Sequence, residues 1–122
     1  MKLHASAPGT YNLITAYGAG YVAVNGRRHE SSLVVLAEKT LPWGPGSFDA
    51  LKGEDFEPLR ALPVDIILLG TGPRQRFPDP VLTAPLREAR IGLEVMDLQA
   101  ACRTYNILVS EERRVAAALL FE

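Results

Sequence analysis

The chain has 122 residues, 48% of them hydrophobic, and its 13 basic residues nearly balance 14 acidic ones. A chain of this length buries roughly two thirds of the surface that its unfolded form exposes, which is enough for one hydrophobic core. The small net charge excludes the strong electrostatic attraction on which many nucleic-acid-binding proteins depend. We therefore expect a single domain over residues 1–122 that does not bind nucleic acid.

The cysteine and histidine content limits the chemistry of the chain. Cys102 is its only cysteine, so an intramolecular disulfide is excluded, and a metal site would need both histidines together with carboxylates. We expect no metal and no cofactor, and a reducing, cytoplasmic location. Residues 1–9 contain no apolar run as long as a signal peptide or a membrane-spanning helix. We therefore expect no membrane insertion.

The first third of the chain is typical of β-hairpins. Residues 12–17 and 21–24 are rich in β-branched and aromatic residues, and small residues between them allow a turn. Asn25-Gly26 then predicts a type I′ turn, because both central residues of that turn need a positive φ. Residues 31–37 are predicted to form a further strand, and His29 is placed in a hairpin turn.

The next segment is predicted to leave the sheet. Prolines and glycines interrupt residues 41–53, which favours a loop that covers one edge of the core. Phe56, Leu59 and Leu62 then recur at near-helical spacing behind an acidic start, which predicts a short helix over residues 55–62 that Pro63 ends.

The second half of the chain alternates apolar runs with helical patterns. Residues 65–69 form a continuous apolar run, which is typical of a strand that is buried on both faces and covered by helices. The remaining elements predicted are helices over residues 79–90 and 97–109 and strands over residues 91–96 and 115–121. This order predicts an α/β fold with a βαβαβ segment in a largely parallel sheet, to which the N-terminal hairpins add antiparallel strands.

One loop is the main candidate for a ligand site. In open α/β sheets, ligands bind beyond the carboxyl ends of the strands. The loop after the first apolar strand has groups that suit a carboxylate or phosphate: Gly70, Thr71, Gly72, Arg74, Gln75 and Arg76. It matches neither the dinucleotide-binding fingerprint nor the P-loop. The alternative is that the glycines only turn the chain and that both arginines are solvated.

Three further polar residues complete the predicted ligand-binding set. Asp97 follows a strand and opens a helix, so it is expected either to cap that helix or to take part in a ligand site. Arg103 is the nearest charged residue along the same helix but faces a different side. Asn106 belongs to a polar cluster near the end of the helix.

No catalytic residue is predicted. Cys102 falls on an apolar helix face with Leu98 and Tyr105, which indicates core packing, and neither histidine is placed as its base. Trp43, between prolines and glycines, is expected either to anchor a partner or to fold back over the core.

Several segments of the chain resemble the Mth938-like domain family, which includes the human mitochondrial complex I assembly factor 3 and the adipogenesis-associated Mth938 domain-containing protein. The segments are residues 67–72 (ILLGTG), 92–97 (GLEVMD), 101–108 (ACRTYNIL) and 115–120 (VAAALL), with Ser110, Glu111 and Arg113. The resemblance implies a three-layer α/β fold with a mixed central sheet. It also implies an assembly role through protein partners, since the mitochondrial member is known for that role and the bacterial members are largely uncharacterised.

The chain departs from the family pattern at two positions. Leu98 stands where the family usually has threonine, which removes a hydroxyl from the start of a helix. Glu112 stands where a glycine is common, which puts in doubt a tight turn at that point.

Two functions follow as hypotheses. The first is a non-enzymatic protein-interaction or assembly module related to respiratory complex I assembly factors. The alternative is a protein that binds a small anionic ligand, or a weak enzyme, that uses the Gly70–Arg76 loop. The sequence gives no prediction of the oligomeric state.

Overall fold

The computed structural model describes residues 11–122. In chain order, its strands and α-helices are β1 (Ile14–Gly18), β2 (Tyr21–Val24), β3 (Arg27–His29), β4 (Leu33–Leu36), β5 (Lys39–Pro42), β6 (Ile66–Thr71), α1 (Ala84–Glu88), β7 (Gly92–Met96), α2 (Leu98–Ser110) and β8 (Val115–Leu120). Between β5 and β6 the chain forms three 3₁₀ helices, Phe48–Ala50, Gly53–Asp55 and Pro58–Ala61.

The predicted mixed central sheet is confirmed. Five strands lie in the order β5-β4-β8-β6-β7. Strand β6 is parallel to both β7 and β8, so that Leu69 pairs with Val95 on one side and Ala118 on the other. Strand β4 is antiparallel to β8 and to β5. Strand β6 is an interior strand with a neighbour on each side and both faces covered, which explains its continuous apolar sequence.

The prediction that both N-terminal hairpins extend this sheet is wrong for the first of them. Only β4 and β5 join the central sheet, while β1, β2 and β3 form a separate three-stranded sheet. The small sheet instead buries Ile14, Val22 and Val24 in the same hydrophobic cluster as α2. Packing on α2 buries the apolar face of the small sheet.

The two faces of the central sheet contact different layers. On one face, Val35, Leu68 and Leu119 pack with α2 and the small sheet. On the other face, Ile67 and Leu69 belong to a cluster that is completed by the 3₁₀ helices, the loop after β5 and α1, through Trp43, Leu51, Phe56, Leu59 and Leu86. The result is the predicted three-layer arrangement, although only one outer layer contains a long helix.

Three boundaries differ from the predictions because of proline. Leu41 and Pro42 end the edge strand β5 rather than lying in a loop, since an edge strand tolerates a residue without an N–H donor. Residues 55–62 form 3₁₀ turns around Pro58 instead of one helix. Helix α1 covers only five residues of the predicted 79–90 helix, starting after Thr83.

The position of His29 also differs from its prediction. It was predicted in a turn, and it lies in β3 opposite Val22.

Two tight turns, one between β2 and β3 and one after α2, have residues with positive φ. Asn25 and Gly26 have φ values of 50° and 84°, which confirms the predicted two-residue turn between β2 and β3. Glu112 has a φ of 64° just after α2, and Arg113 N donates to Leu108 O while Glu112 N donates to Val109 O. This bonding pattern is the Schellman motif, in which glycine is the usual residue. The tight turn is therefore kept although glutamate replaces the glycine.

Candidate functional site

The predicted ligand loop begins with the last two residues of β6, Gly70 and Thr71, at the carboxyl edge of the central sheet. Its first residue, Gly70, is packed against α2: a Cβ at this position would lie 3.0 Å from Ala101 Cβ and 3.1 Å from Leu119 Cδ2. Gly72 has a φ of 82°, and a Cβ there would lie 3.0 Å from the carbonyl carbon of Glu122. Close packing at Gly70, and close packing with a positive φ at Gly72, thus explain why glycine is needed at these positions without any ligand.

Thr71 is fully buried and makes all its side-chain contacts within the protein. Its hydroxyl donates to Arg74 O at 2.7 Å and accepts from Arg76 N at 3.0 Å. A further contact of 3.3 Å joins the same oxygen to Met96 O. These bonds fold the loop back on itself, in the way that Ser and Thr hydroxyls stabilise turns. The hydroxyl is not directed toward solvent where a ligand would bind.

The two arginines of the loop have different environments. The Arg76 guanidinium lies over the Phe48 ring, 4.4 Å from its centroid, and its Nη1 atom is 3.4 Å from Asp49 Oδ1. Its Nε atom is buried and has no hydrogen-bond partner in the described part of the chain. Arg74 is exposed, and no ion pair with it occurs among residues 11–122. Of the two cations, only Arg74 is therefore free to meet a ligand.

Asp97 caps helix α2, which is one of the two roles predicted for it. Its Oδ1 atom accepts a hydrogen bond of 2.8 Å from Ala100 N. With Gly72, Leu98 and Gln99 it also lines a cavity of about 260 Å³, whose opposite wall is the turn between β1 and β2. The lining includes this carboxylate and no arginine or lysine, an arrangement that does not favour an anion.

The remaining members of the predicted set are not brought to this cavity. Arg103 is exposed on α2, and Asn106 lies nine residues beyond Asp97, about 13 Å along the helix. The Asn106 amide accepts from Ile14 N and donates to Ile14 O, both at 2.8 Å. It therefore pairs with strand β1 as a neighbouring strand would, and it connects the small sheet to α2.

The buried ionisable groups do not form a catalytic pair. Cys102 is buried in the cluster beneath α2, and burial raises the pKa of its thiol to about 12, so that it stays protonated near neutral pH. Burial also raises the pKa of Tyr105, as does the negative charge of Glu38, and its hydroxyl donates to Asn12 O. Across residues 11–122 no cluster of three or more His, Cys, Asp or Glu side chains is placed to hold a metal ion.

Trp43 folds back over the core, which is the second of its two predicted roles. Its side chain is buried, its Nε1 atom donates to Asp55 O at 2.8 Å, and its ring meets Phe56 edge to face. It is therefore not an exposed anchor for a partner.

At the opposite end of the sheet, the polar cluster after α2 borders a cavity of about 380 Å³ that Glu38, Arg113 and Arg114 help to line. Arg114 pairs there with Asp65, with Nη2 and Oδ1 2.9 Å apart. Hydrogen bonding to Arg114 lowers the pKa of Asp65 and raises that of Arg114. Both groups are exposed, so the ion pair contributes little to stability.

The structure reveals two exposed large apolar side chains that were not predicted from the sequence. Phe77 and Val81, in the segment between β6 and α1, are 71% and 69% exposed. The segment is ordered by its own bonds: Val81 N donates to Asp79 Oδ1, and Arg87 Nη2 donates to Pro80 O at 2.9 Å. The signal available in the sequence was the pair of prolines, Pro78 and Pro80, which keeps this segment out of the helix and away from the core.

A model of the family described as "Protein of unknown function (DUF498/DUF598)" matches residues 14–120. The chain belongs to this family. Solved structures agree: a Bordetella parapertussis protein is 35% identical, has a TM-score of 0.86 and is matched over 95% of this chain and 100% of its own. A Mth938-like domain from Bordetella pertussis is 32% identical with a TM-score of 0.79, over 98% and 92% of the two chains. The resemblance inferred from the sequence is confirmed.

A named relative is "NADH dehydrogenase [ubiquinone] 1 alpha subcomplex assembly factor 3" of Xenopus tropicalis. It is 31% identical over 112 residues, which are 90% of this chain and 61% of the relative. The chain thus spans less than two thirds of that relative's length. Between residues 11 and 122, neither helix has the length and apolar character needed to cross a membrane.

Proposed function

We propose that this domain acts by binding other proteins, in an assembly role of the kind that the name of its assembly-factor relative describes. The observation that carries the proposal is the exposure of Phe77 and Val81, and we call these two side chains together the Phe77–Val81 surface. Aromatic residues that protrude on an ordered segment are enriched among the residues that dominate binding energy. We place this role in the cytoplasm, as expected from the single reduced cysteine.

Rigidity supports the proposal. The segment is held by Thr71, whose hydroxyl bonds to the backbone of Arg74 and Arg76, and by the contact of Arg87 with Pro80. A surface that is already ordered loses little conformational entropy when a partner binds. The two exposed side chains therefore contribute more to affinity than they would on a flexible loop.

Complementation tests the assembly role. In the native host, the gene is deleted and replaced by wild type, by the double variant Phe77→Ser/Val81→Ser, or by the control Ile107→Ser. Ile107 is also exposed, at 58%, but lies on α2. The assembled NADH dehydrogenase complex is then measured by native gel electrophoresis. We expect wild type and the control to restore assembly and the double variant to fail. Full restoration by the double variant would contradict the proposal.

A second candidate is binding of a small anionic ligand beside the Gly70–Arg76 loop. It is favoured by one observation: Arg74 of this loop is exposed and forms no ion pair within residues 11–122, so its guanidinium is free to meet an anion. A ligand that binds the native state raises the melting temperature. Stabilisation by a small anionic metabolite that is lost in Arg74→Ala would support this candidate, and its absence across a broad panel would leave protein binding alone.

A further inference from the structure

Strand β7 is an edge strand of the central sheet, and one side of its backbone faces outward. Gly92 N donates to Asp65 O, next to β6, and the backbone groups of alternate residues in a strand point to the same side. Gly92, Glu94 and Met96 therefore bond to β6, whereas Leu93 and Val95 present their N–H and C=O groups at the free edge.

One of these outward groups is already occupied. The Gln75 side chain donates to Val95 O at 2.9 Å, so the loop after β6 caps the end of the edge. Three outward groups are left without a hydrogen bond among the described residues: the N–H and C=O of Leu93 and the N–H of Val95. Such a row of unpaired groups is a template for an added strand.

The side chains of β7 define what kind of strand fits. Leu93 and Val95 lie half-buried on the face that packs over α1 and the 3₁₀ helices. Glu94 is exposed on the other face and forms no ion pair within residues 11–122. An added strand should therefore have apolar residues beside Leu93 and Val95 and a cation opposite Glu94, because opposite charges across two strands attract.

A second copy of this chain does not meet these requirements. Antiparallel self-pairing that uses the outward groups of both residues pairs Leu93 with Val95 of the other copy, and this register places Glu94 directly opposite Glu94. Like charges in directly opposite positions destabilise a sheet. Glu94 thus acts as the kind of edge charge that discourages self-association.

We propose that an extended segment of a partner protein pairs with β7, with a lysine or arginine opposite Glu94. This inference rests on the proposed function and specifies the chemistry of its partner. Phe77 lies near the same edge in the chain, since it follows Gln75 by two residues, at most about 7 Å along an extended chain. Backbone pairing at β7 and apolar contact at Phe77 then form one continuous binding site, as in other complexes formed by strand addition.

A synthetic peptide tests the pairing directly. The probe is acetyl-Thr-Val-Lys-Val-Thr-amide, and its control has glutamate in place of lysine. Amide exchange and NMR titration follow the N–H groups of Leu93 and Val95 in the full chain. We expect the lysine peptide to slow their exchange at millimolar concentration and to bind about two- to five-fold more tightly than the control. In Glu94→Lys, whose substitution is at an exposed position, the preference should reverse.

The outcomes separate this inference from the proposed function. No protection of Leu93 and Val95 by the lysine peptide, or a peptide preference that Glu94→Lys leaves unchanged, would overturn strand addition at β7. The proposed function would still stand if Phe77→Ser/Val81→Ser failed to support assembly, because docking would then rest on the Phe77–Val81 surface alone. Protection and reversal without any effect of the double variant on assembly would instead support the edge site and contradict the proposed role of the loop.

Discussion

The two halves of the segment that joins β6 to α1 differ in where their side chains make contacts. The first half, together with the last two residues of β6, makes up Gly70–Arg76, in which the glycines fit against α2 and the C-terminus and the Thr71 hydroxyl bonds to the loop itself. In the second half, Phe77 and Val81 contribute large apolar surfaces that the protein leaves in solvent. Glycine and hydroxyl groups at a sheet edge can therefore serve the fold alone, whereas an exposed aromatic residue on an ordered segment contributes no such internal contact.

The largest effect is expected at Thr71. Thr71→Val keeps the shape of the side chain but removes its hydroxyl, which leaves the N–H of Arg76 without its partner in a buried position. We expect a loss of about 1–3 kcal/mol in the free energy of unfolding, measured by urea denaturation. Thr40→Val is the matched control, because Thr40 lies in β5 and makes no side-chain hydrogen bond within the described chain. An unchanged stability in Thr71→Val would show that the first half is not used structurally.

The next effect concerns Asn106, which was predicted to bind a ligand. Asn106→Ala removes both hydrogen bonds to the backbone of Ile14, so that β1 loses its attachment to α2. We expect a loss of about 1–2 kcal/mol and faster amide exchange at Ile14. Arg103→Ala, three residues earlier at an exposed position, should change stability by less than about 0.5 kcal/mol. Equal effects of the two substitutions would contradict the structural role of Asn106.

A smaller effect is expected at Asp97. Asp97→Ala removes the acceptor for Ala100 N and should cost about 1 kcal/mol, whereas Asp97→Asn preserves a capping oxygen and should cost less. Thermal unfolding of the two variants measures the difference. If Asp97→Asn were as damaging as Asp97→Ala, the negative charge rather than the cap would be what the helix start requires.

The smallest effect is expected at the exposed ion pair, far from the segment. The pKa of Asp65 is lowered in the folded state by its hydrogen bond to Arg114. Its contribution to stability is therefore fully present above the pKa of the unfolded chain and is lost as the pH falls through the folded pKa. NMR titration should give Asp65 a midpoint below the usual value for aspartate, and Arg114→Gln should raise that midpoint. A midpoint that Arg114→Gln does not move would show that another group sets it.

The sequence predicted the parts of this fold that depend on local patterns. The turn at Asn25-Gly26 and the buried strand β6 both follow from residues that are neighbours in the chain. The cap at Asp97 was one of two roles left open for the same local reason. By contrast, the separate sheet of β1–β3 depends on contacts such as that of Asn106 with Ile14, which are 92 positions apart. The hydrophobic periodicity of a sequence does not indicate a contact between residues so far apart in the chain.

The site was harder to predict than the fold because residue type does not reveal where hydrogen bonds go. Thr71 and Arg76 have the groups of an anion site, yet the first bonds to its own loop and the second stacks on Phe48. The exposure of Phe77 was not anticipated, since an aromatic residue beside a buried strand is ordinarily assigned to the core.

Quantitative co-purification from the native host tests most directly whether the second half of the segment is the binding half. Wild type, Arg74→Ala and Phe77→Ser/Val81→Ser are each expressed at native level, and their stabilities are matched by urea denaturation beforehand. We predict that partner proteins recovered with wild type are retained by Arg74→Ala and lost from the double variant, whose stability should change by less than about 0.5 kcal/mol. Loss of the same partners from Arg74→Ala, with full retention by the double variant, would contradict the account.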